Sequence, residues 1–356
     1  MMKTPTQFIA LLSGAALLTS SAFAQTVATN PVGYVTLTVN GSPDGVQTAF
    51  TSLAAPMENS VEAAGSTTVE PSSAVLTNSG AAYGAGAYAG TDASGNSTHY
   101  LQIATDGGAS DGLILDIIAN TETTVTTGAD LTGLVSSGDA YVIKKHVTLA
   151  DVFGAENTAG LKSGGDSASS DLVYVMSSDG LGVYVIYYYQ TDSLGFLGGD
   201  GWRVLGDSAT DMSNVVVGPD DGVIVARTGV GNLSFTVSGS VNGLDHKRGL
   251  PAGYSLVSYP FPVDVTLDDS GIYTSTNGYV SGGDSASSDL VYSLQADGSF
   301  DIFYRQTDSL GFLGGDGWRL LGDSSTEKGL EVVSAGSSVI IYHTGTGLQW
   351  ADAKPF

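Results

Sequence analysis

Cysteine is absent from this chain of 356 residues, and lysine plus arginine number only 12 against 36 aspartates and glutamates. Without cysteine, a disulfide-stapled scaffold is excluded. The formal charge of −24 argues against a nucleic-acid binder, whose affinity comes mainly from basic groups that neutralise phosphates. Residues 25–143 contain no lysine or arginine at all. We therefore expect no nucleic-acid partner, and a surface that repels anionic polymers.

Long apolar runs are also scarce, and the one at the amino terminus is short. Lys3 precedes apolar runs at 8–12 and 15–18, and Ala22-Phe23-Ala24 fits the small-x-small cleavage rule. This pattern predicts a signal peptide at 1–24; a membrane anchor would need about 20 apolar residues. We therefore expect an exported protein without a membrane span, located in the periplasm, on the cell surface or outside the cell.

After residue 24, no segment combines a helical period of apolar residues with capping residues, whereas patterns typical of β-strands recur. Residues 33–39 and 232–237 alternate in polarity, and Asp-Gly pairs at 179–180 and 297–298 are typical of hairpin turns. The 49 glycines fit many tight turns. The sequence predicts an all-β fold of tandem repeated β-sandwich-like units with tight Gly/Asp turns.

An internal repeat organises the chain. Residues 163–174 recur unchanged as 281–292, and residues 190–203 recur unchanged as 306–319. The predicted divisions are a signal peptide (1–24), an N-terminal β domain (25–146), repeat unit A (147–264) and repeat unit B (265–356).

The sequence leaves open whether a fainter third copy of the repeat precedes unit A. Residues 99–103, 112–118 and 138–144 have the rhythm of repeat strands, and 52–56 echoes 255–260. We assign the echo to this third copy.

The identical segments carry aspartates, and oxygen-rich loops are able to bind Ca²⁺. The candidate cation ligands are Asp166, Asp171, Asp192, Asp200, Asp284, Asp289, Asp308 and Asp316. Their spacing is not that of an EF-hand. Two alternatives are that each aspartate caps its own turn, and that the duplication is recent. Ca²⁺ is therefore one hypothesis, and no other cofactor is expected.

Aromatic residues give a second set of candidates. Trp202 and Trp318 follow a Gly-Gly-Asp-Gly turn, where they either stack on sugars or close a core. We expect Arg203 and Arg319 to pair with a loop aspartate.

The hairpin strands of the two units differ on one face. Val185, Tyr187 and Tyr189 of unit A correspond to Asp301, Phe303 and Arg305 of unit B. We expect this face to be exposed in unit B. In unit A, either a neighbouring unit covers it or Tyr187 and Tyr189 bind a flat ligand. The opposite face, with Tyr184, Ile186 and Tyr188, is predicted to be core.

Catalytic motifs are missing: none of the four histidines has a zinc-protease spacing, and no G-x-S-x-G occurs. The favoured function is an exported, non-enzymatic structural or adhesive protein that contacts a surface polymer or other copies of itself through its Asp-rich loops. A carbohydrate-binding module using Trp202, Trp318 or the tyrosine face is the alternative. A polysaccharide-active enzyme with an Asp pair is less favoured.

Short motifs resemble a secreted paralogous family of Verrucomicrobium and its relatives. They are Asn30-Pro-Val-Gly-Tyr-Val-Thr-Leu, Asp130-Leu-Thr-Gly-Leu, Gly138-Asp-Ala-Tyr-Val-Ile, Tyr254-Ser-Leu-Val-Ser and Gly317-Trp-Arg. The resemblance implies an exported β-rich protein and transfers no catalytic residue.

Overall fold

The protein is nearly all β, as the sequence predicts. The computed structural model describes residues 31–309 and 311–356, so the predicted signal peptide lies outside the described residues. Their one α-helix is α1 (Leu149–Phe153), which Thr148 and Asp151 cap reciprocally, and Ser285–Ser287 form a 3₁₀ turn. In this part of the chain, no helix has the length and apolar character needed to cross a bilayer.

The strands of the described residues follow one another in chain order, with α1 between β9 and β10. They are β1 (Val32–Val39), β2 (Ala49–Ala54), β3 (Val61–Ser66), β4 (Val75–Thr77), β5 (His99–Ile103), β6 (Ile114–Asn120), β7 (Thr124–Thr127), β8 (Ala140–Lys145), β9 (Val147–Thr148), β10 (Leu172–Met176), β11 (Tyr184–Gln190), β12 (Gly201–Val204), β13 (Val216–Val217), β14 (Gly222–Arg227), β15 (Leu233–Ser240), β16 (His246–Leu250), β17 (Gly253–Ser258), β18 (Val265–Thr266), β19 (Leu290–Leu294), β20 (Phe300–Gln306), β21 (Gly317–Leu320), β22 (Val332–Val333), β23 (Ser338–His343) and β24 (Leu348–Asp352).

Two modules share one strand topology. Module A consists of β1, β2 and β9–β15, and its main sheet has the order β12-β11-β10-β14-β2. Module B consists of β16–β24, and its main sheet has the matching order β21-β20-β19-β23-β17. Each module adds a pair of its first and last strands, β1–β15 or β16–β24, and a short pair, β9–β13 or β18–β22. The sequence repeat is therefore also a repeat of topology.

The module boundaries differ from the predicted ones. Module A begins at β1 rather than at residue 147, because β2 pairs with β14 just as β17 pairs with β23. Module B correspondingly begins at β16 rather than at residue 265. The echo of 52–56 in 255–260 thus marks equivalent strands of the two modules, and its assignment to a third copy is wrong. The strand registers make Leu53 equivalent to Val257. The sequence similarity instead aligns Leu53 with Leu256, so the two alignments differ by one residue.

A separate sheet is inserted between β2 and β9. Its order is β3-β8-β5-β6-β7-β4, so its first five strands repeat the order of the main sheets. The strands that the sequence proposed as a third copy, β5, β6 and β8, occupy the places of β10, β11 and β14. The topology therefore supports a third, divergent copy, which we call the inserted sheet.

Each module has its own core between its main sheet and the pair of first and last strands. In module A, Leu37, Val173 and Val225 meet Phe153 of α1, and each is at most 2% exposed. Phe303 of β20 is buried in the corresponding core of module B, so the prediction that its face is exposed there is wrong. Only the two ends of that face leave the core: Asp301 is exposed and Arg305 is half-buried.

The two main sheets pack against each other through their outer faces. Equivalent residues Ile224 and Ile340 are both buried there. Two further contacts are equivalent: Ala54 N donates to Gly336 O (2.9 Å), and Ser258 N donates to Asp220 O (2.8 Å). Self-complementary contacts of this kind are typical of a two-fold interface between identical subunits. Modules A and B thus form an internal pseudo-dimer.

Candidate functional site

The two identical loops, loop A (191–200) and loop B (307–316), have the same internal hydrogen bonds. Asp192 accepts from the backbone N of Phe196 (3.0 Å), Leu197 (2.9 Å) and Gly199 (3.0 Å). In loop B, Asp308 accepts three equivalent bonds, each of 2.9 Å. These donors, the glycine N–H first, lower the pKa of both carboxyl groups. Each aspartate is therefore an ionised centre that organises its loop.

Buried side chains support the loops from below. The Gln190 side chain donates to Leu197 O (3.0 Å), and Arg203 donates to Gly199 O (3.0 Å) and Ser208 O (2.8 Å). The predicted pairing with a loop aspartate holds only in part: Arg203 pairs with Asp211, in the loop between β12 and β13, whereas Arg319 pairs with Glu327. These carboxylates lie outside loops A and B at 3.8 and 3.9 Å, so backbone carbonyls are the closer partners.

Glycine is required where the backbone turns beneath each tip. Gly199 and Gly315 have φ of 91° and 95°, in a region that L side chains rarely adopt. A Cβ at either position would meet no atom within 4 Å, so backbone conformation and not space selects glycine.

Apolar side chains form the tip of each loop. Phe196 is 87% exposed and Leu194 is 78% exposed in loop A, and Phe312 is 86% exposed in loop B. Both loops lie beside the outermost strands, β12 and β21, away from the strands that join the modules. Sequence reasoning missed these tips; the available signal was a Leu-Gly-Phe-Leu run inside a Gly/Asp-rich segment.

The other predicted cation ligands also cap turns or pair with bases. Asp166 and Asp284 accept from the backbone N of Ser169 and Ser287, and Asp200 and Asp316 accept from the backbone N of the loop aspartates. Among the described residues, no three His, Cys, Asp or Glu side chains are placed to hold a metal ion. The geometry therefore favours the turn-capping alternative over a cation site.

Asp171 and Asp289, equivalent in the two modules, are buried and paired. Asp171 lies 2.6 Å from Arg227 Nη1, and Asp289 lies 2.7 Å from His343 Nδ1. Both also accept backbone N–H groups, so each oxygen of the two carboxylates already has a partner within the protein. These pairs tie the start of β10 or β19 to the end of β14 or β23.

The predicted sugar-stacking residues are buried. Trp202 and Trp318 are 0% and 1% exposed, and Tyr187 and Tyr189 are 2% and 9% exposed. Their rings offer no free face to a sugar, so the core alternative holds for the two tryptophans, and the flat-ligand alternative is not supported for the two tyrosines. The inserted sheet reaches Tyr187, whose hydroxyl lies 3.1 Å from Ser94 Oγ. A neighbouring unit thus covers this end of the tyrosine face, one of the two outcomes expected for unit A.

A cavity of about 260 Å³ lies between β2 of module A and the β19–β20 hairpin of module B. Phe50, Phe303 and Val291 are among its apolar lining residues, and Asp301 and Glu331 are its two charged ones. We call it the module B cavity.

Comparison with protein-family models, curated proteins and solved structures found no match for this chain.

Proposed function

We propose that the protein is an exported, non-enzymatic adhesive protein that contacts its partner through the tips of loops A and B. The proposal rests on Phe196 and Phe312. Both side chains are more than 85% exposed, and both stand on loops whose backbone is fixed by a central aspartate. A soluble protein normally keeps such large apolar groups inside, and an exposed apolar cluster marks an interaction site.

Rigid presentation supports binding at these tips. A tip already held in one conformation loses little conformational entropy when it docks, so more of the contact energy appears as affinity. The same carboxylate, amide and guanidinium groups hold both tips, through Asp192, Gln190 and Arg203 or their equivalents.

The negative charge of the chain and of its loops limits which partners can bind the tips. The chain carries 36 acidic residues against 12 basic ones, and Asp200 and Asp316 are exposed in the loops themselves. Arg203 and Arg319 are only 3% and 2% exposed, so they offer little positive charge at the tips. Copies of the chain repel one another. The partner is therefore an extracellular polymer that presents apolar groups flanked by basic ones.

Two tips on one molecule make the contact bivalent. If both engage one surface, the second binding event is intramolecular, and avidity exceeds the affinity of a single tip. Removal of one tip should therefore speed dissociation strongly while leaving some binding.

Adsorption to defined monolayers tests the proposal. The mature protein should adsorb to mixed methyl- and amine-terminated monolayers in a quartz microbalance, and much less to methyl- and carboxyl-terminated ones. The double variant Phe196→Ser, Phe312→Ser should adsorb at least about tenfold less, and each single variant should fall between. Tyr34→Ser is the matched control, because Tyr34 is an aromatic residue 74% exposed on β1, outside the loops. Equal adsorption of the double variant and the wild type would refute the role of the tips.

A further inference from the structure

The module B cavity has a counterpart position in module A, and that position has a different lining. The cross-strand pair Val175–Val185 of module A corresponds to Ser293–Asp301 of module B. Val215, only 1% exposed in the core of module A, corresponds to Glu331. Three valines of one module are thus replaced by a hydroxyl and two carboxylates in the other.

The equivalent positions of the two modules also differ in the segments that cover them. In module A, the inserted sheet closes this end: Asp92 accepts from Val216 N (2.8 Å), and Ser94 contacts Tyr187. In module B, the hairpin is two residues shorter than in module A, and β2 borders the opening. The lining and the covering of the cavity are therefore specific to module B.

The lining sets the chemistry of a ligand. The described residues around the cavity include no lysine, arginine or histidine, while Asp301 and Glu331 supply negative charge. Asp301 accepts from Gln295 Nε2 at 2.9 Å, and Lys328 outside the lining approaches Glu331 only to 4.0 Å. The lining hydroxyl nearest in register is that of Ser293, the cross-strand partner of Asp301, whereas the Ser338 side chain lies against Gly222 of module A.

We propose that the module B cavity binds a small alkylammonium group through Asp301 and Glu331. An ammonium group donates three hydrogen bonds and accepts none, which suits carboxylate and hydroxyl acceptors. Phe50 and Phe303 contact the aliphatic part of the ligand and attract its cationic end through their ring faces. The volume is below the roughly 300–1,000 Å³ of pockets for drug-sized ligands, so the ligand is small. The chain's acid excess raises the local concentration of such cations.

Titration calorimetry with 1,5-diaminopentane tests the proposal, with 1,5-pentanediol as the uncharged analogue. We expect one diamine per chain and at least about tenfold weaker binding of the diol. A lysine side chain of a peptide would offer the same group, so Nα-acetyl-lysine amide is titrated in parallel. Tighter binding of the diamine identifies a free amine as the ligand, and tighter binding of the lysine compound identifies a peptide. Failure of both to bind overturns the proposal.

Two variants locate the site. Asp301→Asn with Glu331→Gln keeps the shape of the cavity and should weaken diamine binding at least tenfold. Ser293→Val with Asp301→Val and Glu331→Val recreates the lining of module A and should abolish binding. The control Asp106→Asn with Glu156→Gln removes the same charge from exposed positions outside the lining and should bind like wild type. Equal loss in the control would show that only the overall charge attracts the amine, and full binding by Asp301→Asn with Glu331→Gln would show that these two carboxylates do not hold it.

Discussion

At the scale of single residues, buried charges hold the junction between β16, β24 and module A. Asp220 accepts from Arg248 (2.7 Å) and lies 2.9 Å from His246 Nε2. Burial raises the pKa of Asp220, but Arg248 and His246 outweigh burial and hold that pKa far below its usual range. Asp352 is the cross-strand partner of His246, but its Oδ2 is buried without a hydrogen-bond partner among the described residues. Burial therefore outweighs the opposing effect of His246 and raises the pKa of Asp352 to about 7.

Asp352 should make stability fall as the pH rises from about 4 to about 7. The ordinary pKa of this group is 3.8 and the folded value is about 7, so in this window the folded state binds the extra proton. Asp220 affects stability only below this pH range. Because folding lowers its pKa, acidification there removes the stability that its ionised form contributes. The Asp352→Asn variant cannot ionise and should melt about 3 °C or more above wild type at pH 8, with a smaller gain at pH 5.

Calorimetric melting at pH 4–8 measures this effect. Asp106→Asn, at an exposed position, should reproduce the wild-type profile. An Asp352→Asn profile parallel to that of the wild type would mean that Asp352 is ionised throughout the range.

At the scale of elements, one central carboxylate in each loop holds the backbone N–H groups of its tip. Asp192 and Asp308 satisfy three backbone N–H groups that the turn cannot pair internally. A charged acceptor of this kind forms stronger bonds than a neutral one. Within the loop, Gln190 and Arg203 bond only to backbone carbonyls, so the order of these N–H groups depends on Asp192 and its equivalent.

Asp192→Ala should loosen loop A while leaving the rest of the protein folded. We expect amide exchange at residues 194–199 to become at least about tenfold faster, since three charge-assisted hydrogen bonds are lost. The melting temperature should change by less than about 3 °C, because the loop lies outside the core. Hydrogen exchange followed by mass spectrometry measures both loops at once, and the untouched loop B is the internal control. Unchanged exchange in loop A would show that Asp192 does not fix the tip.

At the scale of the whole molecule, the two modules meet as a pseudo-dimer. One close approach lies between equivalent positions, Gly222 and Ser338: a Cβ on Gly222 would come within 2.3 Å of Ser338 Cβ. Ile224 and Ile340 are each 7% exposed in the shared apolar cluster, so we expect burial at this interface to couple the folding of the modules.

Ile224→Ser combined with Ile340→Ser should uncouple the modules. Loss of two buried isoleucines costs about 4 kcal/mol or more at the interface, while each module keeps its own core. Differential scanning calorimetry should then resolve more transitions than in the wild type. Ile118→Ser, at a site 56% exposed on the inserted sheet, should leave the profile unchanged. An unsplit profile in the double variant would show that the modules fold together for another reason.

Local chemistry explains which features were predictable. Alternating strands, Asp-Gly turns and exact repeats gave the all-β class and the equivalence of 163–203 with 281–319. The turn-capping role of the aspartates was among the predicted alternatives, because it involves neighbours within a few residues. The strand face carrying Phe303 was misjudged, because two charged residues at its ends masked a buried centre.

The sequence by itself determined the strands, the turns and the duplication, since period-two polarity and turn residues act over a few positions. Only the tertiary structure decided that β1 and β2 complete module A across an inserted sheet, because that pairing joins residues more than 160 positions apart. Tertiary packing also separated Phe196 from Trp202, six residues away: the first is 87% exposed and the second is 0% exposed. Both are large apolar rings in one Gly-rich segment, and only the position of each relative to the core distinguishes an exposed loop tip from a buried side chain.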